Sequence, residues 1–248
     1  VARETPAVAT CVLHALSLGA AVFMADAVAR LFGLTRPLLR ALLAAGLWGV
    51  HPMGAESVAY ITGRSEVLCG GFVFLALGAH AEAVLAEREH GWSMGWRALS
   101  LLGFVGGVLS KEVAIMVPFG QLAIERAAAG RWRQVRWMGF APVAAVVLGA
   151  AGLRWSALAD TATMSALIPH EVDRPLAEQL TTSAEVWLHY LRLWVLPVGQ
   201  TLFHDQAIVS PTEVRGMGAI GGWMLMVIGG GFLSLSLKHN SEPTRPNE

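Results

Sequence analysis

Charge is what this chain has least of. Only 15% of its 248 residues are charged, 54% are hydrophobic, and the mean hydropathy is +0.53. Soluble domains carry about 25% charged residues, so the deficit excludes an ordinary soluble domain and points to a polytopic membrane protein. The two signs balance to a net charge of zero, which argues against nucleic acid as the main partner. Both cysteines, Cys11 and Cys69, sit within apolar runs, so no disulfide framework is expected. Zinc-type Cys and His spacing, a phosphate-binding glycine loop and a Ser-centred nucleophile elbow are missing as well. No metal set and no covalently bound cofactor is read from the residues, and any metal requirement stays open. Heptads and internal repeats are not visible. Neither an initiator Met nor a basic segment precedes the first apolar run, so that run does not read as a signal peptide. We expect a piece of a longer protein, cut at both ends.

What is present is a series of apolar runs: Ala7–Phe32, Leu38–Val50, Val67–Leu85, Trp96–Leu109, Val113–Ile124, Val135–Leu153, Ala184–Leu196 and Met217–Leu237. A span needs about 20 residues, and several runs are shorter. The fourth and fifth read as two short helices broken at Ser110-Lys111-Glu112. Backbone broken at membrane depth is tolerated only where protein buries it or water reaches it. Arginines set the orientation: Arg30, Arg36 and Arg40 share one loop, Arg88 and Arg97 another, and Arg126, Arg131, Arg133 and Arg136 a third. The intervening loops hold only Arg64 and Lys111. By the positive-inside rule the Arg-rich loops are cytoplasmic, and the other loops extracytoplasmic.

The polar segment from Arg154 to Thr182 reads as a long loop, and loops of that length are usually functional or mobile. In Ala184–Leu196, Glu185, His189 and Arg192 fall on one helical face, as in a helix lying in the membrane interface. The expected fold is an all-α integral membrane bundle of about seven spans plus this interfacial helix. It occupies residues 1–238 as a single membrane domain, with a polar tail at 239–248.

The stretch His51–Glu66 organises the rest. Read as a helix after Pro52, it places Glu56, Tyr60 and Arg64 on one face. Arg64 can grip a phosphate through two hydrogen bonds, or simply pair with Glu56 or Glu66. Lys111 offers a compact ammonium suited to a phosphate, with Glu112 to neutralise it or act as a base; alternatively both charges snorkel at helix ends. His51-Pro52 either lines a pocket or terminates a helix. His204 and Asp205 are possible metal ligands, but two adjacent ligands without a partner set are weak support.

Taken in order, His51-Pro52, Glu56, Gly63-Arg64, Leu109-Ser110-Lys111-Glu112, Pro118, Leu191-Arg192-Leu193, Pro197 and His204-Asp205 resemble the membrane part of the transmembrane and tetratricopeptide-repeat O-mannosyltransferases and their bacterial relatives. That family belongs to the GT-C class of glycosyltransferases. The resemblance covers nearly the whole chain. It implies a multi-pass enzyme of the bacterial inner membrane or the endoplasmic reticulum, with its site on the extracytoplasmic face. The implied donor is a polyprenyl-phosphate sugar in the bilayer, the acceptor a protein or glycan. Arg64 and Lys111 would bind the donor phosphate, and Glu56 and Glu112 would act as the catalytic carboxylates, positioning the cations or the acceptor. His51, Tyr60, Ser110, Arg154, His204 and Asp205 would line the pocket. Two features depart from the family. Its acidic catalytic residue, often in a Trp-Asp-Asp context, has no counterpart, since only Glu4 precedes the first apolar run. The repeats that follow the membrane part are also missing. The piece is therefore expected to hold the donor-binding half of a site. The rival readings are a transporter or flippase for an anionic lipid or solute, and a catalytically incomplete membrane scaffold.

Overall fold

The computed structural model describes residues 5–54, 57, 63–89, 91, 93–129, 136–159, 175–199 and 208–226. All regular structure among them is helical. The chain divides into two compact units, Val1–Thr163 and Met164–Glu248.

The first unit is built around one helix. In chain order it contains α1 (Thr5–Leu31), α2 (Pro37–Gly49), α3 (Arg64–Glu89), α4 (Met94–Ser110), α5 (Val117–Ala129) and α6 (Ala141–Ala159). Helix α3 packs against α1, α4 and α5, while α2 packs on α1 and α6 on α4. Small side chains make α3 the hub. Ala76, Ala79, Ala81 and Ala83 are fully buried on it, as is Ala27 on α1. Without bulk between them the backbones approach closely, which is how helices associate where lipid is the solvent. The limit is reached at Gly103 of α4, where an added Cβ would sit 2.9 Å from the Ala76 nitrogen.

Phe104 and Val117 are buried with them, but many large apolar side chains point outward: Leu109 is 83% exposed, Val50 79% and Leu148 72%. Exposed apolar surface on this scale exceeds what a water-soluble monomer usually shows. Two helices, Val8–Leu31 and Arg64–Glu89, are long and apolar enough to cross a membrane. At 1.5 Å per residue, α3 is roughly 39 Å long, against a hydrocarbon layer of about 30 Å. Pro37–Gly49, Met94–Ser110 and Ala141–Ser156 are apolar but shorter.

The break expected at Ser110-Lys111-Glu112 is present. Helix α4 stops at Ser110, Lys111 is extended (φ −161°, ψ 141°), and a 3₁₀ segment, Glu112–Met116, leads into α5. Two other expectations are corrected. Arg154 does not open a loop: it lies within α6, which runs on to Ala159 because Leu153 and Trp155 continue its apolar surface. Nor does Arg64 continue a helix begun after Pro52. Pro52–Gly54 is a 3₁₀ turn and Ser57 is helical, but Gly63 is a turn residue, and α3 begins afresh at Arg64; Glu56 and Tyr60 lie outside the described residues.

The second unit pairs α7 (Leu176–Val195) with α8 (214–226). Helix α7 starts eight residues before the expected Ala184. The residues from Leu176 to Ser183 are too polar to register as an apolar run, yet Pro175 sets the entry and its carbonyl accepts from Glu178 N at 2.9 Å. Glu185 pairs with Arg215, and Trp223 Nε1 donates to the Ala184 carbonyl at 3.3 Å.

Candidate functional site

The site is set by the start of α3. Gly63 presents its carbonyl to the first turn, accepting from Glu66 N at 3.0 Å and Val67 N at 3.1 Å. A side chain at position 63 would collide with the Ser57 backbone, so the turn requires glycine. From this fixed start, Arg64 reaches sideways to α1, where its Nε donates to Thr10 Oγ1 at 3.0 Å. Two residues on, Glu66 receives the Ser57 hydroxyl at 2.6 Å on one carboxylate oxygen and the Lys111 ammonium on the other.

Lys111 arrives from the break after α4. Its backbone N–H still donates to Gly107 O at 2.9 Å, and its carbonyl accepts from Ala114 N at 3.2 Å and from the Cys69 thiol at 3.9 Å. The strand-like residue is thus tied at both sides through its backbone, and its side chain is held by Glu66. The hydrogen bond that Lys111 donates to Glu66, with the added charges of Glu66 and Glu112, holds the Lys111 ammonium above the usual lysine range. Lys111 is 35% exposed and Glu66 45%, so the pair stands in reach of a ligand. An ion pair of this exposure is worth little, about 0–1 kcal/mol, and an anion of higher charge density can replace the carboxylate. The N-terminus of α3 adds its partial positive charge to the same place.

The structure therefore brings Arg64 and Lys111 to one end of α3, where Lys111 pairs with Glu66 in place of the adjacent Glu112. Glu112 follows Lys111 and is exposed at the start of the 3₁₀ segment. Ser110 turns back on its own helix, donating to Gly106 O at 2.7 Å. His51 is half-buried in the turn after α2, with its N–H on Trp48 O at 3.2 Å. Arg154 is exposed on α6. Glu56, Tyr60, His204 and Asp205 lie outside the described residues. Among the described residues, no group of three or more His, Cys, Asp or Glu side chains could hold a metal. Three contributors were not singled out as site residues from sequence: Glu66, Ser57 and Thr10. Only Glu66 carries a usable signal, as a carboxylate two residues beyond Arg64 at the mouth of an apolar run.

The opposite end of the same bundle is also charged, and there the groups are closed on one another. Arg97 donates to Glu87 at 2.8 Å and to Glu125 at 3.1 Å, and Arg136 pairs with the other oxygen of Glu87 at 2.8 Å. Arg30 bridges Asp26 and Glu82. Arg30, Arg97 and Arg136 thus lie at one end of the first unit, and Arg64 and Lys111 at the other. No protein-family model, curated protein or solved structure matches this chain.

Proposed function

We propose that this chain is the donor-binding membrane part of a GT-C-like glycosyltransferase. It moves a sugar, mannose on the resemblance, from a polyprenyl phosphate to an extracytoplasmic acceptor, namely a protein Ser or Thr. The observation that carries this reading is the pairing of Lys111 with Glu66 beside Arg64: two cations at one end of the bundle, one held by a single exchangeable carboxylate. When the acceptor oxygen attacks the anomeric carbon, the bond to the phosphate oxygen breaks and charge collects on the leaving phosphate. Cations already in place stabilise that charge without reorganisation. Lys111 would exchange Glu66 for the phosphate, and Arg64 would add a two-point grip.

In this reading about seven helices cross the bilayer, with the Arg-rich end cytoplasmic. Helix α7 lies in the interface. Supporting that placement, α7 has 20 residues yet is not among the helices apolar enough to span, and its Trp187 and Trp194 are exposed, as in an interfacial aromatic belt. The acidic residue that deprotonates the acceptor is not assigned to this chain.

The test is donor affinity and turnover in a full-length enzyme with mannosyl-phosphoryl dolichol or its undecaprenyl counterpart. Arg64→Ala and Lys111→Ala should each lose roughly ten- to hundredfold, the usual worth of a charge-assisted contact, whereas Arg131→Ala should change neither. Normal affinity and turnover in both site variants would sink the reading. Lipid translocation without sugar transfer would favour the flippase.

A further inference from the structure

A groove of about 510 Å³ runs along the first unit between α1 and α3. Its walls are apolar, with Leu16, Ala20 and Phe23 from α1 and Leu68 and Leu75 from α3 among them. The floor is narrow because Gly71 lets the two helices meet: a Cβ there would stand 3.4 Å from the Ser17 Cα. Leu16 is 66% exposed and Leu68 38%, so the groove opens sideways. Both of its ends are defined. Arg64, Leu68, Gly71 and Leu75 recur at i, i+4, i+7 and i+11 and share one face of α3. Arg64 therefore stands one turn above the groove, where its Nε donates to Thr10 of α1 at 3.0 Å. Lys111, paired with Glu66, reaches the same end of α3. At the other end Phe23 and Leu75 are the last residues to line the groove, and Phe23 stacks on Trp96 of α4 with ring centroids 6.0 Å apart.

These dimensions select the occupant. From Leu13 to Phe23 the groove is about 15 Å long at 1.5 Å per residue, half of a hydrocarbon layer of about 30 Å. One leaflet's acyl chain has that reach, whereas a polyprenyl chain is longer and would have to leave the groove past Phe23. The cations at the head of the groove call for an anion, and the start of α3 adds its partial positive charge. We propose that the groove holds one acyl chain of an anionic phospholipid of the adjoining leaflet, with the lipid phosphate at Arg64 and Lys111. The rise from Arg64 to Leu68, about 6 Å, accommodates the glycerol that separates phosphate from chain. The bilayer's own lipid is then the resting ligand of the cations assigned above to the donor phosphate, and the donor must displace its head. The inference takes from that reading the membrane placement of α1 and α3; sugar transfer plays no part in it.

The probe is phosphatidylglycerol with a diazirine midway along one acyl chain, photolysed with the full chain in lipid nanodiscs and mapped by peptide mass spectrometry. Phosphatidylcholine with the same chain, which has no net charge, is the control. Adducts should concentrate on residues 13–23 and 68–75. They should be about fivefold more abundant with phosphatidylglycerol, the worth of one basic residue near an anionic lipid. Arg64→Gln should remove that preference. Gly19→Trp, at a lining position where nothing stands within 4 Å of an added Cβ, should fill the groove and cut adducts from both lipids while leaving the fold intact, so the test survives if Arg64→Gln fails to fold. Phosphatidylglycerol adducts that keep their preference but resist excess undecaprenyl phosphate would support this site while counting against the donor reading. Equal labelling by the two lipids, adducts spread evenly over every lipid-facing helix, undiminished adducts in Gly19→Trp, or a groove left unlabelled because a second copy covers it would each overturn the proposal.

Discussion

Lys111 and Glu66, 45 residues apart in the chain, form an ion pair across the start of α3. The carboxylate keeps the ammonium charged and occupies the position an incoming anion would take. Glu66→Gln should therefore behave oppositely to Lys111→Ala. Removing the competing charge should tighten binding of a polyprenyl phosphate several-fold, while removing the ammonium weakens it about ten- to hundredfold. Since Glu66 raises the Lys111 value, the ammonium persists through neutral pH. Affinity should fall only as pH rises past the ordinary lysine value of about 10.4. Nanodisc binding assays with both variants settle the point, and a Glu66→Gln loss as large as that of Lys111→Ala would make Glu66 part of the binding surface.

The closed charge network at the other end should matter for stability and not for donor binding. Arg97→Ala leaves Glu87 and Glu125 without a partner they share, and breaking a buried pair in this way costs about 3–5 kcal/mol. Arg215→Ala removes an exposed partner of Glu185 and should cost about 0–1 kcal/mol. Thermal unfolding in detergent compares the two; similar small shifts would mean the Arg97 network is solvated.

Close packing of α3 on α4 gives a third expectation. Gly103→Ala forces a methyl against the Ala76 backbone and should destabilise by about 1–3 kcal/mol. Gly46→Ala, with nothing within 4 Å of the new atom, should stabilise by roughly 0.5–1 kcal/mol, since it removes glycine from a helix interior. Unfolding midpoints of opposite sign are the expected result, and a neutral Gly103→Ala would mean the helices can part without cost.

Topology is tested by labelling. In a background lacking Cys11 and Cys69, cysteines at Ser57 and Pro211 should react with an impermeant reagent from outside intact cells. One at Gly130 should react only after permeabilisation. Labelling at Gly130 from outside would invert the orientation.

The break at Ser110-Lys111-Glu112 was legible because three polar residues separate two runs each too short to span alone. The common end of Arg64 and Lys111 was legible from loop charges. The partner of Lys111 was not, because a pairing across 45 residues leaves no local trace, and nearer carboxylates such as Glu112 compete for the assignment. Arg154 was misread as a loop residue because a single charge after an apolar run resembles a helix end; an exposed guanidinium on a helix face gives the same letter string. The start of α7 was missed because hydropathy sees apolar runs, while a helix needs only spacing and an entry residue such as Pro175.

The closed network also dictates an order of assembly. Helix α3 carries Glu82, Glu87 and His80, but their partners come from different parts of the chain: Arg30 precedes α3, whereas Arg97, Glu125 and Arg136 follow it. A chain synthesised from its N-terminus therefore forms α3 with Glu82 already answered and Glu87 still waiting. The nascent assembly of α1, α2 and α3 is then an incomplete product, one that a protease or a chaperone meets before α4 arrives. Chains truncated after Glu89 should be degraded faster than chains truncated after Ala129, and pulse-chase measurement of the two half-lives reads this directly.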